Sequence, residues 1–129
     1  MSHWPDFTDP NVLYSLDVVM EYFRDAIVSE ISALPSVNSL KDLPREGGVY
    51  FVVNHDSDGF EIIYAGTSTD LSHRWQGHPL RKEFQLRNWR IYYYCMSGIE
   101  RERFEALMIL LLNPRLNRRI NSMRLYHDI

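Results

Sequence analysis

Two strand-like runs on either side of a polar turn constrain the fold of this chain most. Gly48 is followed by a β-branched and aromatic run over residues 49–53, and a second such run covers residues 60–64. The intervening residues 54–59 (Asn-His-Asp-Ser-Asp-Gly) are types that favour turns. Runs arranged in this way predict a β-hairpin, and a hairpin needs further strands or helices to become stable.

Helical patterns surround this hairpin, beginning with the N-terminal third of the chain. Asp9 and Pro10 predict a helix start, because aspartate caps a first turn and proline is tolerated within it. Apolar residues then recur at helical spacing as far as Leu34, opposite an acidic face, so we predict an amphipathic helix over residues 9–34. We expect its own domain, rather than a partner chain, to supply the surface that this helix covers.

The remainder of the chain adds helices and one more strand. A short helix capped by Thr69 or Asp70 and a second one that ends near Leu86 are expected, and residues 89–96 predict a strand. Ser97 and Glu100 have the spacing of a capping box, which predicts the start of a final helix. The order of elements predicts an α+β fold in which helices pack on a small antiparallel sheet.

Composition excludes several classes of protein. No apolar run approaches the roughly 20 residues of a membrane span, and the N-terminus does not have the pattern of a secretion signal. We therefore expect a single cytoplasmic domain over residues 1–129. Cys95 is the only cysteine, which excludes an internal disulfide, and its place in a strand pattern predicts a small buried side chain.

Charge is divided unevenly along the chain. The net charge is −3, yet lysine and arginine clearly outnumber acids in residues 71–129, whereas acids dominate residues 1–45. Phosphate contacts need only a local basic surface, so this charge does not exclude a nucleic-acid partner. A mixed, solvated surface would account for the same composition.

Glu105 is the acidic residue whose position most suggests chemistry. In the predicted last helix, its neighbours one and two turns later are Met108, Ile109 and Leu112. A carboxylate at the border of an apolar stripe is costly unless it is paired, hydrogen-bonded or bound to a metal. The alternative is a flank position from which the carboxylate reaches Arg101 one turn earlier.

Several short motifs occur together with this glutamate. A Gly-Val-Tyr tripeptide opens the hairpin's first strand, a Tyr-Ala-Gly tripeptide closes its second, and an arginine, a histidine and an asparagine follow. In this order and spacing, residues 43–117 resemble the GIY-YIG nuclease family. Each piece alone is common, but the combination is specific. In chain order the set is Gly48, Tyr50, Tyr64, Gly66, Arg74, His78, Glu105 and Asn117.

The resemblance implies a fold, a substrate and a cofactor. The family fold is a three-stranded antiparallel sheet flanked by helices, to which residues 9–34 would add an extra helix. The implied activity is hydrolysis of DNA phosphodiester bonds with one divalent cation, Mg²⁺ or Mn²⁺, held by Glu105. Of the two tyrosines, we assign Tyr50 as the general base and Tyr64 as the group that positions water or phosphate.

Three further residues receive roles from the same resemblance. Arg74 would stabilise charge on the phosphate, because a guanidinium offers planar donors to phosphate oxygens. His78 would assist the base or contact phosphate, and Asn117 would orient groups near the metal. Val49 and Ala65 replace the isoleucines of the family motifs, and strand alternation predicts that they face away from the tyrosines.

DNA binding is expected to come from the basic half of the chain. No zinc-finger spacing or helix-turn-helix is recognisable, so we expect phosphate contacts with little sequence preference and strong salt dependence. One metal site cuts one strand at a time, so double-strand cleavage would need a homodimer, through the N-terminal helix, or a partner subunit. The predicted DNA-binding residues are Arg81, Lys82, Arg87, Arg90, Arg115, Arg118 and Arg119.

Two alternatives remain open from the sequence. The chain could be a catalytically inactive nucleic-acid-binding or interaction module that keeps the GIY-YIG fold. It could instead be a structural or toxin-neutralising protein that uses the acidic N-terminal helix as its contact surface. Metal binding at Glu105 separates these from a nuclease, because a pure interaction protein has no need for it.

Overall fold

The computed structural model describes residues 16–56 and 59–118 of the chain. The helix start predicted at Asp9 and Pro10 lies outside these residues. Within them, every helix is too short or too polar to span a membrane. In chain order the elements are α1 (Leu16–Ser32), β1 (Ser36–Val37), β2 (Gly48–Asn54), β3 (Glu61–Ser68), α2 (Leu71–Arg74), α3 (Arg81–Leu86), β4 (Trp89–Cys95) and α4 (Ile99–Leu112), with short 3₁₀ helices at Leu40–Asp42 and Trp75–Gly77.

The strands form one antiparallel sheet in the order β1-β4-β2-β3. The predicted α+β class and the hairpin are therefore confirmed. The predicted number of strands is wrong, because the described sheet has four strands and not three. The added strand is β1, where Ser36 pairs with Tyr92 and Val37 with Ile91. Two residues are too few to show strand alternation, so only pairing with β4 reveals them as a strand.

The sheet has two buried faces, and alternation along β2 divides its side chains between them. Tyr50 and Val52 belong to one apolar cluster, with the short helices that follow β3. Val49 and Phe51 belong to the other cluster, which includes Ala65 and residues of α1 and α4. Val49 and Ala65 thus lie opposite the tyrosines, as strand alternation predicted.

Helix α1 covers the second face of the chain's own sheet. Ile31 is buried there, and Ile27 and Leu34 pack against the same cluster. The Nε atom of Arg24 donates a hydrogen bond to the carbonyl oxygen of Leu111 (2.9 Å), which joins α1 to α4. Full burial of one such aliphatic side chain contributes about 1.5–3 kcal/mol. A dimer formed through this part of the stripe would have to displace these contacts.

Two local predictions at the end of β4 are wrong. Helix α4 does not begin at a Ser97 capping box: its N-cap is Gly98, without a side-chain cap hydrogen bond. Gly98 has φ +75°, a conformation that favours glycine, and this turn starts the helix one residue later. Cys95 is exposed rather than buried, because it lies at the last position of β4, beyond the cover of the neighbouring elements.

Candidate active site

The hairpin register brings the two motif tyrosines to the same face of the sheet. Tyr50 pairs with Gly66, and Val52 pairs with Tyr64, two positions along the same face. Their ring centroids are 6.1 Å apart. Tyr50 is 1% exposed and Tyr64 is 6% exposed, so the pair lies against the core with Tyr50 the more deeply buried.

Close packing explains why glycine stands at both motif positions. A Cβ atom on Gly66 would lie 2.4 Å from the hydroxyl oxygen of Tyr50, so the tyrosine ring passes directly over the glycine. A Cβ atom on Gly48 would lie 2.6 Å from the carbonyl oxygen of Tyr94 on the adjacent strand. Gly66 therefore positions Tyr50, and Gly48 allows β2 and β4 to approach each other.

His78 holds the hydroxyl of Tyr50. The distance between His78 Nε2 and Tyr50 Oη is 2.8 Å, and the backbone N–H of Leu80 donates to His78 Nδ1 at 3.0 Å. An Nδ1 atom that accepts a hydrogen bond carries no proton, so the network assigns the neutral Nε2–H tautomer. His78 therefore donates to the oxygen of Tyr50 and is not arranged to remove its proton.

The imidazole of His78 is also fixed in its plane by Trp75. The two rings are stacked, with centroids 3.9 Å apart and an interplanar angle of 12°. Trp75 is buried and also packs its ring against Tyr50, at a centroid distance of 5.6 Å. Stacking and two hydrogen bonds together give His78 a single orientation beside the tyrosine pair.

Arg74 reaches this site from the end of α2. The helix begins at Asp70, whose Oδ1 accepts a hydrogen bond from the backbone N–H of His73 at 3.1 Å. Aspartate at an N-cap supplies an acceptor for an otherwise unpaired backbone donor. The predicted cap is confirmed at Asp70, and it places Arg74, half-buried, in the last position of the helix.

Glu105 lies on α4 and is half-buried, and its helix neighbours Phe104 and Met108 pack in the cluster on the other face of the sheet. The carboxylate therefore lies at the border of the apolar stripe, as the sequence predicted. Its charge acts on the phenol of Tyr50, as does the charge of Arg74, although the three residues are far apart in the sequence.

These groups change the pKa of Tyr50. Burial raises it well above its ordinary value, and the charge of Tyr64 and a hydrogen bond between the two side chains raise it further. Arg74 lowers it, and Glu105 raises it slightly. Burial dominates because it disfavours the charged phenolate. In the absence of a bound cation, Tyr50 therefore holds its proton firmly.

Asn117 supports the site through the backbone of β3. Its Oδ1 accepts from the N–H of Ala65 and its Nδ2 donates to the carbonyl of Ala65, both at 2.8 Å. β3 is an edge strand, and this amide satisfies two backbone groups that would otherwise lie unpaired beside Tyr64 and Gly66. Asn117 thus acts on the position of β3 and does not face the tyrosine hydroxyls as a reacting group.

The donor set suits a hard divalent cation that keeps most of its water ligands. The described residues contain no group of three or more histidine, cysteine, aspartate or glutamate side chains able to enclose a metal. Glu105 is the one carboxylate whose charge shifts the pKa of Tyr50. Mg²⁺ is commonly held by one or two carboxylates with several waters, so a single glutamate at this position fits it.

The basic residues that the sequence predicted to bind DNA differ in their contacts and in their exposure. The guanidinium of Arg90 donates to Ser36 Oγ from Nε (3.2 Å) and Nη2 (3.1 Å), so it joins β4 to β1. Arg115 pairs with Glu61 at 3.3 Å, and both side chains are exposed. Lys82 and Arg118 are exposed, Arg81 and Arg87 line a surface cavity, and Arg119 lies outside the described residues.

Two residues important to this geometry were missed by the sequence analysis. Trp75 lies next to Arg74 but carries the stacking surface for His78. Leu80 contributes through its backbone N–H, which has no sequence signature at all. The Trp-x-x-His spacing across Gly77 was the one available hint, because a turn there returns the histidine towards the tryptophan.

Comparison with known proteins gives matches among solved structures alone. No family model matches the chain, and no curated protein does. The magnesium-bound GIY-YIG N-terminal endonuclease domain of UvrC from Thermotoga maritima is similar to it, with 22% identity and a TM-score of 0.45. That match covers 59% of this chain and 88% of the other. A point mutant of the same domain matches at 20% identity and a TM-score of 0.47, over 59% and 87% of the two chains. Both belong to the family whose motifs this sequence carries.

Proposed function

We propose that this chain is a GIY-YIG endonuclease that hydrolyses DNA phosphodiester bonds with one divalent cation, Mg²⁺ or Mn²⁺, at Glu105. The observation that carries the proposal is the arrangement around Tyr50: the ring of Tyr64 lies 6.1 Å away, His78 Nε2 lies 2.8 Å from its hydroxyl, and the charges of Arg74 and Glu105 also act on its phenol. A phenol, a guanidinium and a carboxylate can supply the base, the charge stabilisation and the metal ligand of metal-assisted phosphodiester hydrolysis.

Arg74 has the role of binding the phosphate oxygen on which charge develops. It forms no side-chain hydrogen bond or salt bridge with another described residue, so its donors are available for a phosphate. A preorganised donor of this kind stabilises the transition state more than the ground state, because negative charge grows on the oxygen as water attacks.

Tyr64 in its phenolate form, rather than Tyr50, takes the proton from the attacking water. Tyr50 is the more deeply buried of the two, and burial raises the pKa of its phenol, so that little of it is present as the phenolate that could accept a proton. The Nε2–H of His78 also occupies one acceptor position on its oxygen. Tyr50 then holds Tyr64 in place through their mutual hydrogen bond, which reverses the assignment made from the sequence.

Glu105 is the residue that would hold the cation. A divalent cation there supplies Lewis-acid stabilisation of the leaving oxygen. Glu105 lies at the border of an apolar stripe, and ion binding offsets the cost of keeping a charge in that position.

The test is cleavage of supercoiled plasmid with Mg²⁺ or Mn²⁺ by the wild type, Glu105→Ala and Glu102→Ala. Glu102 is an exposed acid in the first turn of the same helix, so its replacement is a matched control. We expect Glu105→Ala to abolish nicking and Glu102→Ala to retain it, with both variants folded by circular dichroism. Equal activity of Glu105→Ala and wild type at matched purity would reject the metal site. DNA binding by an inactive wild type would favour a non-catalytic binding module instead.

A further inference from the structure

A basic groove runs along the side of the molecule next to the tyrosine site. It consists of two cavities of about 440 and 190 Å³ that share Leu40, Lys41 and Arg81 in their walls. We call it the Lys41 groove. Arg87 lines its larger cavity and Trp75 its smaller one. The sequence analysis did not single out Lys41, because the residue is distant in the chain from the arginine-rich half.

The charge in this groove is of one sign. Lys41, Arg81 and Arg87 line it, and none of the described residues that line either cavity is acidic. The other lining side chains include the hydrogen-bonding groups of Ser39 and Gln85. Cations and neutral polar groups in one concave surface favour a polyanion whose charges are spaced along a chain.

Two further observations indicate an ordered site for anions. Arg81 Nη1 donates to the backbone carbonyl of Gln76 at 2.8 Å, which holds its guanidinium against the groove wall. Trp75 has a buried Nε1–H without a hydrogen-bond partner among the described residues. An unpaired buried N–H is uncommon and adds positive potential where it lies.

The same tryptophan connects the groove with the proposed active site. Its indole lines the smaller cavity and is stacked on His78, which holds Tyr50. A polyanion bound in the groove is therefore separated from the site of the two tyrosines by little more than the Trp75 side chain. Resting on the proposed nuclease function, we propose that the Lys41 groove binds DNA phosphates next to the phosphate that is cut.

In this arrangement, Lys41 and Arg87 bind DNA but do not contact the reacting phosphate. Their loss should weaken DNA binding and its salt dependence while leaving the chemical step intact at saturating DNA. Each lost phosphate contact reduces the slope of log K against log salt by about 0.9 for duplex DNA. Arg103, which is exposed on α4 and lines neither cavity, offers a positive charge outside the groove.

The experiment is fluorescence anisotropy of a labelled 20-base-pair duplex in EDTA, which prevents cleavage, over a series of salt concentrations. We expect Lys41→Glu and the milder double variant Lys41→Gln/Arg87→Gln to lower affinity and reduce the salt slope, with Arg103→Glu changing both much less. The double variant guards against a charge reversal that disturbs folding, and thermal melting checks all three variants. If the groove variants bind like Arg103→Glu, the groove proposal is overturned, whereas Mg²⁺-dependent nicking by the wild type would still uphold the nuclease proposal.

Discussion

At the scale of single residues, the site depends on side chains that fix one another's position and hydrogen bonding. His78 donates a hydrogen bond from Nε2 to Tyr50 because the backbone N–H of Leu80 donates to its other ring nitrogen, Nδ1. Gly66 leaves the space in which the Tyr50 ring lies. The residues that touch the reacting atoms are thus separated from those that position them, and substitutions in the two groups should have different signatures.

In the proposed function, Arg74 contacts the reacting phosphate. We expect Arg74→Ala to lower the nicking rate by about 10²–10³-fold, because one preorganised donor at a developing charge is removed. Binding of the same DNA in EDTA should weaken far less, since one phosphate contact is a small part of the interface. Arg74→Lys, which retains the charge without the planar donors, should recover part of the rate. If affinity falls as much as turnover, Arg74 is a docking residue.

The two tyrosines are expected to differ. Tyr64→Phe should abolish nicking, because it removes the proposed base. Tyr50→Phe should keep measurable turnover but lower the free energy of unfolding by about 1–3 kcal/mol, since the Nε2–H of His78 loses the hydrogen bond to the Tyr50 oxygen in a buried site. Single-turnover nicking and urea unfolding of both variants measure these effects. A dead Tyr50→Phe enzyme beside an active Tyr64→Phe enzyme would restore the assignment of Tyr50 as the base.

At the scale of secondary-structure elements, the site is assembled by short segments rather than by long ones. The hairpin carries both tyrosines, α2 is only four residues long, and the 3₁₀ turn Trp75–Gly77 returns the chain so that His78 meets Trp75. The segment that follows α4 adds Asn117 to the edge of β3. Elements this short are stable only through their contacts with the sheet.

Gly66 tests this coupling between strand packing and the site. Gly66→Ala would bring its Cβ to 2.4 Å from Tyr50 Oη, so the tyrosine ring must shift and its hydrogen bond with His78 is disturbed. We expect a loss of roughly 1–3 kcal/mol in unfolding free energy, the usual cost of overpacking, together with a large loss of nicking. Gly77→Ala is the control, because a Cβ there has no neighbour within 4 Å. Similar stability and activity for the two variants would contradict the close packing of Tyr50 on Gly66.

At the scale of the whole molecule, the two faces of the sheet have separate tasks. One face carries the tyrosine site, and the other is covered by α1 and α4. Ile27 and Ile31 of α1, and Leu34 just after it, pack against the cluster on that second face. Ile27 and Leu34 remain partly exposed and line a cavity of about 560 Å³, so the dimer considered from the sequence stays a prediction.

A single proposed metal site predicts how plasmid is cut. We expect the isolated chain to produce nicked circles before linear molecules, because one such site cleaves one strand at a time. Phosphate contacts carry no base information, so the cut positions should be scattered, and the rate should fall steeply as salt rises. A time course on agarose gels and sequencing of the cut ends measure both. One recurrent sequence cut on both strands would instead indicate a restriction-type enzyme.

Much of this fold follows from local sequence patterns. The hairpin, the short helix capped by Asp70, the strand near Trp89 and the helix that carries Glu105 were all predictable from alternation, helical spacing and caps. Strand alternation also predicted that Val49 and Ala65 lie opposite the tyrosines. These features are determined by neighbours in the chain, which a single sequence contains.

What only the tertiary structure decided involves residues distant in the sequence. The fourth strand exists because Ser36–Val37 finds a partner in β4, and the guanidinium of Arg90 donates to the side chain of Ser36 in that strand. The tautomer of His78 depends on one backbone N–H, and the raised pKa of Tyr50 depends on burial. The sequence by itself determined which residues are available for chemistry. Packing decided their protonation states, their partners and the side of the molecule that they face, because burial and hydrogen-bond geometry do not exist until distant segments meet.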